Sequence, residues 1–189
     1  MIRVLLFCLL GLAGLVVAPA HAAPENYRLD AHRSTVTFTF AMDGTARTGH
    51  MPVHAARMSL DIDNLPASQV DVTLDASAAR AGFFLATQAM RGPLVLDVAH
   101  HPFIRFRSTA VTGSLTNATV TGDLTLRGVT RKVTLRAAVY RQPDTAPTDR
   151  DRLIVLLTGG IDRRAFGASG YAGLIGDHIG LRILAYIAK

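Results

Sequence analysis

Hydrophobic residues recur at every second position along most of this chain. Val36, Phe38 and Phe40 alternate with Thr35, Thr37 and Thr39, the period of a strand with one dry face and one wet face. The same beat returns at Met58, Leu60 and Ile62, at Val70, Val72 and Leu74, and at Ile104 and Phe106. It returns again at Val120, Gly122, Leu124 and Leu126, at Val133, Leu135, Ala137 and Val139, and from Ile179 through Leu181, Ile183 and Ala185 to Ile187. Leu153 to Leu157 is continuously apolar, so both of its faces are expected to be covered. With a short strand near His50 to Val53, the pattern predicts eight or nine strands.

The connections are short and carry turn chemistry. Asp43-Gly44 closes a first hairpin, Asn64-Leu65-Pro66 follows Ile62, and Arg127-Gly128 joins two long strands as an antiparallel pair. Residues 142–152, with two prolines and three of the aspartates, read as an exposed loop between strands. Only residues 82–98 (GFFLATQAMRGPLVLDV) break the alternation; they predict one or two short helices interrupted at Gly92-Pro93 and lying across one end of the sheet. Antiparallel strands of this number and length, each with one apolar face, close into an up-and-down barrel. A two-sheet sandwich shares the same alternation and is its structural rival.

The start of the chain has a different texture. Met1-Ile2-Arg3 is a short basic beginning, Val4 to Ala18 is uncharged and apolar or small, and Ala20-His21-Ala22 fits a small-x-small cleavage site. An apolar run this short falls below the roughly 20 residues of a spanning helix. Residues 1–22 are therefore expected to be an export signal cut after Ala22, leaving one domain over 23–189 in the periplasm. Cys8 is the only cysteine, so the mature chain would have neither a disulfide nor a thiolate.

The formal net charge is +6, carried almost wholly by arginine. The arginines come in ones and twos without interleaved aromatics, which argues against a nucleic acid partner and leaves transient contact with an anionic surface as an option. Candidate chemistry is sparse. His100 and His101 are adjacent, so on an extended chain they face opposite ways. His50 and His54 flank Pro52 with no carboxylate nearby in sequence; neither pair makes a convincing metal site. Gly167-Ala168-Ser169-Gly170 approaches a nucleophile-elbow pattern but reads better as a turn. No catalytic residue and no metal ligand is assigned. The large apolar side chains are the stronger signal: Phe38 and Phe40 on one strand, Phe106 on another, and Phe83, Phe84 and Met90 on the expected cap. An eight-stranded barrel has an interior that side chains fill or that holds one small ligand, and alternation is the same in both cases.

Four blocks then carry a resemblance. Tyr27-x-Leu29-Asp30 with Ser34 and VTFTF, LDVAHHPFIRFRS at 96–108, GDLTLRGVTRKVTL at 122–135, and IDRRAFGA with GDHIGLRI at 161–168 and 176–183 occur in order. Together they resemble the YceI family of exported lipocalin-like proteins over nearly the whole mature chain. The resemblance implies an all-β fold: an eight-stranded antiparallel lipocalin-like barrel with a short helical segment near residues 82–98. It also implies an apolar channel for a polyisoprenoid, a quinone tail or a fatty-acid-like chain, with no catalytic residues to carry over and no other cofactor. On this chain the channel would be lined by Val36, Leu94, Leu124, Leu135 and Phe166 with Phe38, Phe40, Phe83, Phe84, Met90 and Phe106. Arg33, Arg91 and Arg163 are the candidates for a ligand head group. The chain departs from the family where Arg33 replaces a histidine and where AGFFLATQAM replaces a more polar segment, which bears on the channel mouth.

The expected function is a periplasmic binding protein for an amphiphile with a long isoprenoid or acyl chain, acting in lipid or quinone storage, transport or envelope stress tolerance. Two other readings differ in class. One is a solidly packed barrel acting through its surface, which an exposed apolar patch without a cavity would mark. The other is a small lipid-acting enzyme, which would need His100, His101 or His178 beside a carboxylate or serine at a cavity mouth. A monomer and a homodimer both fit the sequence.

Overall fold

The computed structural model describes residues 23–189, and the expected signal segment, 1–22, lies outside the described residues. Ten strand segments and one α-helix follow one another: β1 (Glu25–Leu29), β2 (Thr35–Met42), β3 (Thr45–His50), β4 (Val53–Leu60), β5 (Gln69–Asp75), α1 (Phe84–Arg91), β6 (Phe103–Ser114), β7 (Asn117–Leu126), β8 (Val129–Arg141), β9 (Arg152–Asp162) and β10 (Ile175–Ala188). Every pairing between them is antiparallel. Both β1 and β2 lie against β10 on one side, and on the other side β1 meets β4 while β2 meets β3. They are two stretches of one bent wall strand, and β3 and β4, broken at Met51-Pro52, are another. The wall is thus an eight-stranded, closed, up-and-down antiparallel barrel, sealed where β10 pairs with β2 and β1. The expected barrel stands and the sandwich does not.

Turn residues do what their backbone demands. Asp43 and Gly44 (φ 49° and 71°) and Arg127 and Gly128 (φ 53° and 74°) all lie in the left-handed region, the geometry of tight hairpins that keep pace with strand twist. Two bulges reset the alternation. Opposite β7, Ser108 pairs with Gly122 but Ala110 pairs with Thr121, so Thr109 is an extra residue. Inward positions on β6 are therefore Ile104 and Phe106 before it and Val111 after it. His54 plays the same part in β4, between Val53 and Ala55. The run Leu153–Leu157 is not covered on both faces. Leu153, Val155 and Leu157 face inward, while Ile154 and Leu156 lie outward and half-buried beside Tyr140 and Ala138.

The non-alternating segment is an insertion between β5 and β6. After Asp75 the chain leaves the sheet and returns to it once, where His50 and Arg80 exchange two backbone hydrogen bonds of 2.8 Å. Ala76, Ala79, Ala81 and Leu96 are buried there against Phe38, Phe40 and Ile104. Small residues let this segment approach the sheet closely. α1 stops at Arg91, and Gly92 caps it by donating to Gln88 and Ala89, before Pro93 excludes further helix. The insertion thus lies across the end of the barrel that also holds the 43–44, 127–128 and 163–174 connections. The opposite end carries the start of β1, the C-terminal Lys189, the 3₁₀ turn Leu65–Ala67 and the 142–151 loop.

Candidate functional site

The barrel is hollow. A cavity of ≈ 520 Å³ runs between the two ends, from Leu29, Ile62 and Leu65 at one to Phe83, Leu85, Tyr171 and Leu174 at the other. Inward side chains in a filled barrel would be sealed from solvent. Here Val72, Leu74, Phe106, Val133, Leu157, Ile179, Leu181 and Ile183 face inward and remain only half-buried, because they border the empty space. Val120, Leu124 and Leu135 also line the space and are buried. Glycines make room for large rings: a Cβ on Gly122 would meet the Phe106 ring at 2.5 Å, and one on Gly49 would meet Phe38. Phe38 and Phe40 stack with ring centres 6.1 Å apart.

The lining is apolar almost throughout. Of its few polar side chains, Ser34, Ser68 and Arg163 are engaged with the backbone. Ser34 accepts from the Tyr186 N–H at 2.9 Å, and Ser68 Oγ both accepts from the Asp61 N–H at 3.0 Å and contacts the Asp61 carbonyl. Ser108, beside the bulge, accepts from Val70 N–H at 2.8 Å. Arg163 lies on the lining but is buried, and its guanidinium donates to the carbonyls of Ala168, Gly170, Ile175 and Gly176 at 2.6–3.0 Å. Asp177 stands 3.3 Å from the same group. No buried side-chain nitrogen or oxygen among the described residues lacks a partner. A ligand in this space would therefore be held by apolar contact, with any polar group left at an end.

The sequence candidates distribute as follows. Val36, Phe38, Phe40, Phe83, Met90, Phe106, Leu124 and Leu135 line the cavity, with Arg163. Phe84 and Leu94 lie on the surface at the α1 end, and Phe166 is buried in the 163–174 connection. Arg91 is at the α1 end and donates twice to the Ala79 carbonyl. Arg33 is at the far end, over the Tyr186 ring at 4.1 Å and bonded to Gln142. The inward rows of β4, β5 and β10 (Val53, Met58, Val70, Val72, Leu74, Ile179, Leu181 and Ile183) also line the space. Sequence reasoning saw most of these as strand positions and missed them as lining; the alternation that found the strands would have found the site, since in a hollow barrel the two are one set.

Among the described residues no histidine lines the cavity. His100 bonds Asp97 at 2.9 Å on the surface, and that bond holds the Asp97 carboxyl below the usual carboxylate range. His101 packs on Gly128, His54 on the Phe103 ring at 4.6 Å, and His50 meets Thr37. His178 sits on the outer side of β10, beside Gly160. No group of three or more metal-ligating side chains occurs among the described residues.

A family model described as a YceI-like domain matches residues 27–186. Among curated proteins no relative matches the chain. Solved structures share the fold at low identity. Burkholderia cenocepacia BcnA matches with a TM-score of 0.76 at 18% identity, over 86% of this chain and 100% of that one. A polyisoprenoid binding domain from Saccharophagus degradans, described as implicated in plant cell wall breakdown, matches with a TM-score of 0.62 at 14% identity, over 86% and 97%. The Campylobacter jejuni YCEI protein matches with 0.61 at 18%, over 75% and 84%.

Proposed function

The chain belongs to the YceI-like domain family, and from that membership and its hollow apolar barrel we propose that it binds a long isoprenoid or acyl chain. The observation that carries the reading is the cavity itself: ≈ 520 Å³ walled almost wholly by apolar side chains. At about 24 cal/mol per Å³, leaving such a space empty forgoes on the order of 10 kcal/mol of packing. That rivals the whole stability of a domain, so an apolar occupant has much to contribute. Each methylene buried adds about 0.8 kcal/mol, and an elongated chain fits a space that runs between two barrel ends. A slim prenyl or acyl tail fits; a compact polar metabolite would leave its hydrogen bonds unmade.

The bound molecule is an amphiphile such as a quinone or a polyprenyl phosphate, its head group at the α1 end. Family membership supports binding rather than catalysis, and the described histidines stand outside the cavity. The apolar leader and its Ala20-His21-Ala22 motif support export to the periplasm, where storage, transport and envelope stress tolerance are roles for such a carrier. The fold of the polyisoprenoid binding domain from Saccharophagus degradans, shared here, favours the prenyl chain over the acyl chain.

The test is mass spectrometry of an organic extract of the purified protein, beside Leu181→Trp. Leu181 lines the cavity opposite Phe38, and the indole would grow into empty space rather than into packed wall. The wild type should release a near-stoichiometric prenyl or acyl lipid. The variant should release several-fold less while unfolding at a similar temperature. Repeated extracts with no lipid, or an undiminished load in the variant, would sink the reading.

A further inference from the structure

Exposed large apolar side chains are not scattered over this molecule. Of eight among the described residues, six (Phe83, Phe84, Leu85, Leu94, Tyr171 and Leu174) fall on α1 and its flanks and on the 163–174 connection. Phe84, Leu85 and Leu94 are 73%, 71% and 59% exposed. The two segments adjoin: the Gly170 N–H donates to the Leu94 carbonyl at 2.9 Å. Four of the six, Phe83, Leu85, Tyr171 and Leu174, also border the cavity. The apolar tip is therefore continuous with the mouth of the binding site.

Charge is divided along the same axis. At this end, residues 43–47, 76–102, 127–131 and 162–178 carry seven arginines against four aspartates. At the opposite end, residues 23–34, 61–68 and 141–152 with Lys189 carry six cations against seven carboxylates. Arg47 and Arg80, exposed beside the tip, pair with no carboxylate among the described residues. An apolar tip flanked by exposed cations such as Arg47 and Arg80 is the surface that an anionic bilayer attracts and then accepts at its headgroup boundary.

We propose that the α1 end of the barrel docks on an anionic bilayer surface, seating Phe84, Leu85 and Leu94 among the lipid head groups so that a chain passes between bilayer and cavity without crossing water. This rests on reading the cavity as a lipid site and deepens it by naming the donor and acceptor. Leaving a bilayer for open water exposes every methylene of a long chain at once. A mouth already seated in the headgroup layer removes that barrier, and the excess of arginine at this end sets which end arrives first.

The experiment is flotation of the protein, purified as its host produces it, with phosphatidylglycerol/phosphatidylcholine vesicles and with phosphatidylcholine vesicles alone. The wild type should float with the mixed vesicles, less with the neutral ones, and less again as salt is added. Phe84→Ser with Leu94→Ser removes two tip residues that do not line the cavity; it should weaken partitioning at least about tenfold while its extract keeps its lipid. Arg47→Glu should weaken it by about fivefold or more on mixed vesicles only. Thermal unfolding of each variant checks that the barrel remains. A wild type that ignores mixed vesicles yet yields lipid overturns the docking and leaves the ligand reading standing. Tip-dependent flotation of a protein that yields no lipid upholds the docking surface and removes only the ligand reading. Flotation unchanged in the tip variant overturns the proposal. So does a concentration-dependent dimer, seen by light scattering, that the same variant abolishes without any vesicle binding, because the tip would then meet a second copy.

Discussion

The guanidinium of Arg163 meets four carbonyls of the 168–176 segment, and at 4% exposure water replaces none of them. That segment turns through Gly167 (φ 77°) and Gly173 (φ 85°) with little regular structure, so one side chain organises a large part of the mouth. Five donors in a planar fork suit the task; a lysine's three donors on a single atom do not. Arg163→Ala and Arg163→Lys should each lower stability by about 2–4 kcal/mol in urea unfolding, and a lysine that restored most of it would refute the account. In the sequence Arg163 is only a candidate for a ligand head group, beside Arg33 and Arg91. Its burial, and the direction its donors take, depend on where the 168–176 backbone folds back.

At the scale of elements, hairpins were the most legible part of the chain. Arg127-Gly128 and Asp43-Gly44 were identified as turns from residue type, and all four residues do occupy left-handed backbone conformations. The distinction between conformation and crowding is testable at Gly128, where φ is 74° and a Cβ would lie 3.0 Å from the His101 ring. Gly128→Val should cost about 2 kcal/mol, because a β-branched residue resists this region. Gly128→Asn should cost much less, although its Cβ meets the same ring; equal losses measured by thermal unfolding would assign the cost to His101 instead. Bulges were not legible. The alternation simply ended after Phe106, and only pairing with β7 shows that Thr109 is the extra residue that moves Val111 inward. β1 was likewise read as part of a motif, not as a strand, because five residues with one buried side chain hold too little period to register.

The whole molecule depends on a seam between its ends in sequence. β10 meets β2 at seven paired positions and β1 through Arg28–Ala188 and Leu29–Ile187, helped by the Asp30 N–H on the Tyr186 carbonyl at 2.8 Å and by Lys189 between Glu25 and Asp151. Tyr27, 3% exposed, donates its hydroxyl to the Arg150 carbonyl at 2.7 Å. Burial raises the Tyr27 phenol above its ordinary value of 10.0. The folded chain thus holds this proton more tightly than the unfolded chain. Its contribution is full below a pH of about 10 and is lost as pH climbs through the folded value. Tyr27→Phe should therefore be less stable by about 1 kcal/mol at neutral pH, with the gap to wild type closing in alkali. Urea unfolding across pH checks this, and a gap that widened above pH ~10 would reverse the sign.

Alternation and turn chemistry by themselves determined most of the strands, their antiparallel order and the place of the helical insertion. These are local properties: the period of two follows from backbone geometry within one strand, and a left-handed turn from two residues. Whether the inward rows meet or stand apart is set by barrel closure, by two bulges and by glycines under large rings, all of them contacts between residues far apart in sequence. Inward Leu, Val and Ile read the same in either case, and only their half-buried state in the closed barrel shows that the centre is empty. The grouping of Phe84, Leu94 and Tyr171 into one tip is likewise tertiary, since about 80 residues separate its halves along the chain and only the return of the 163–174 segment to Leu94 brings them together.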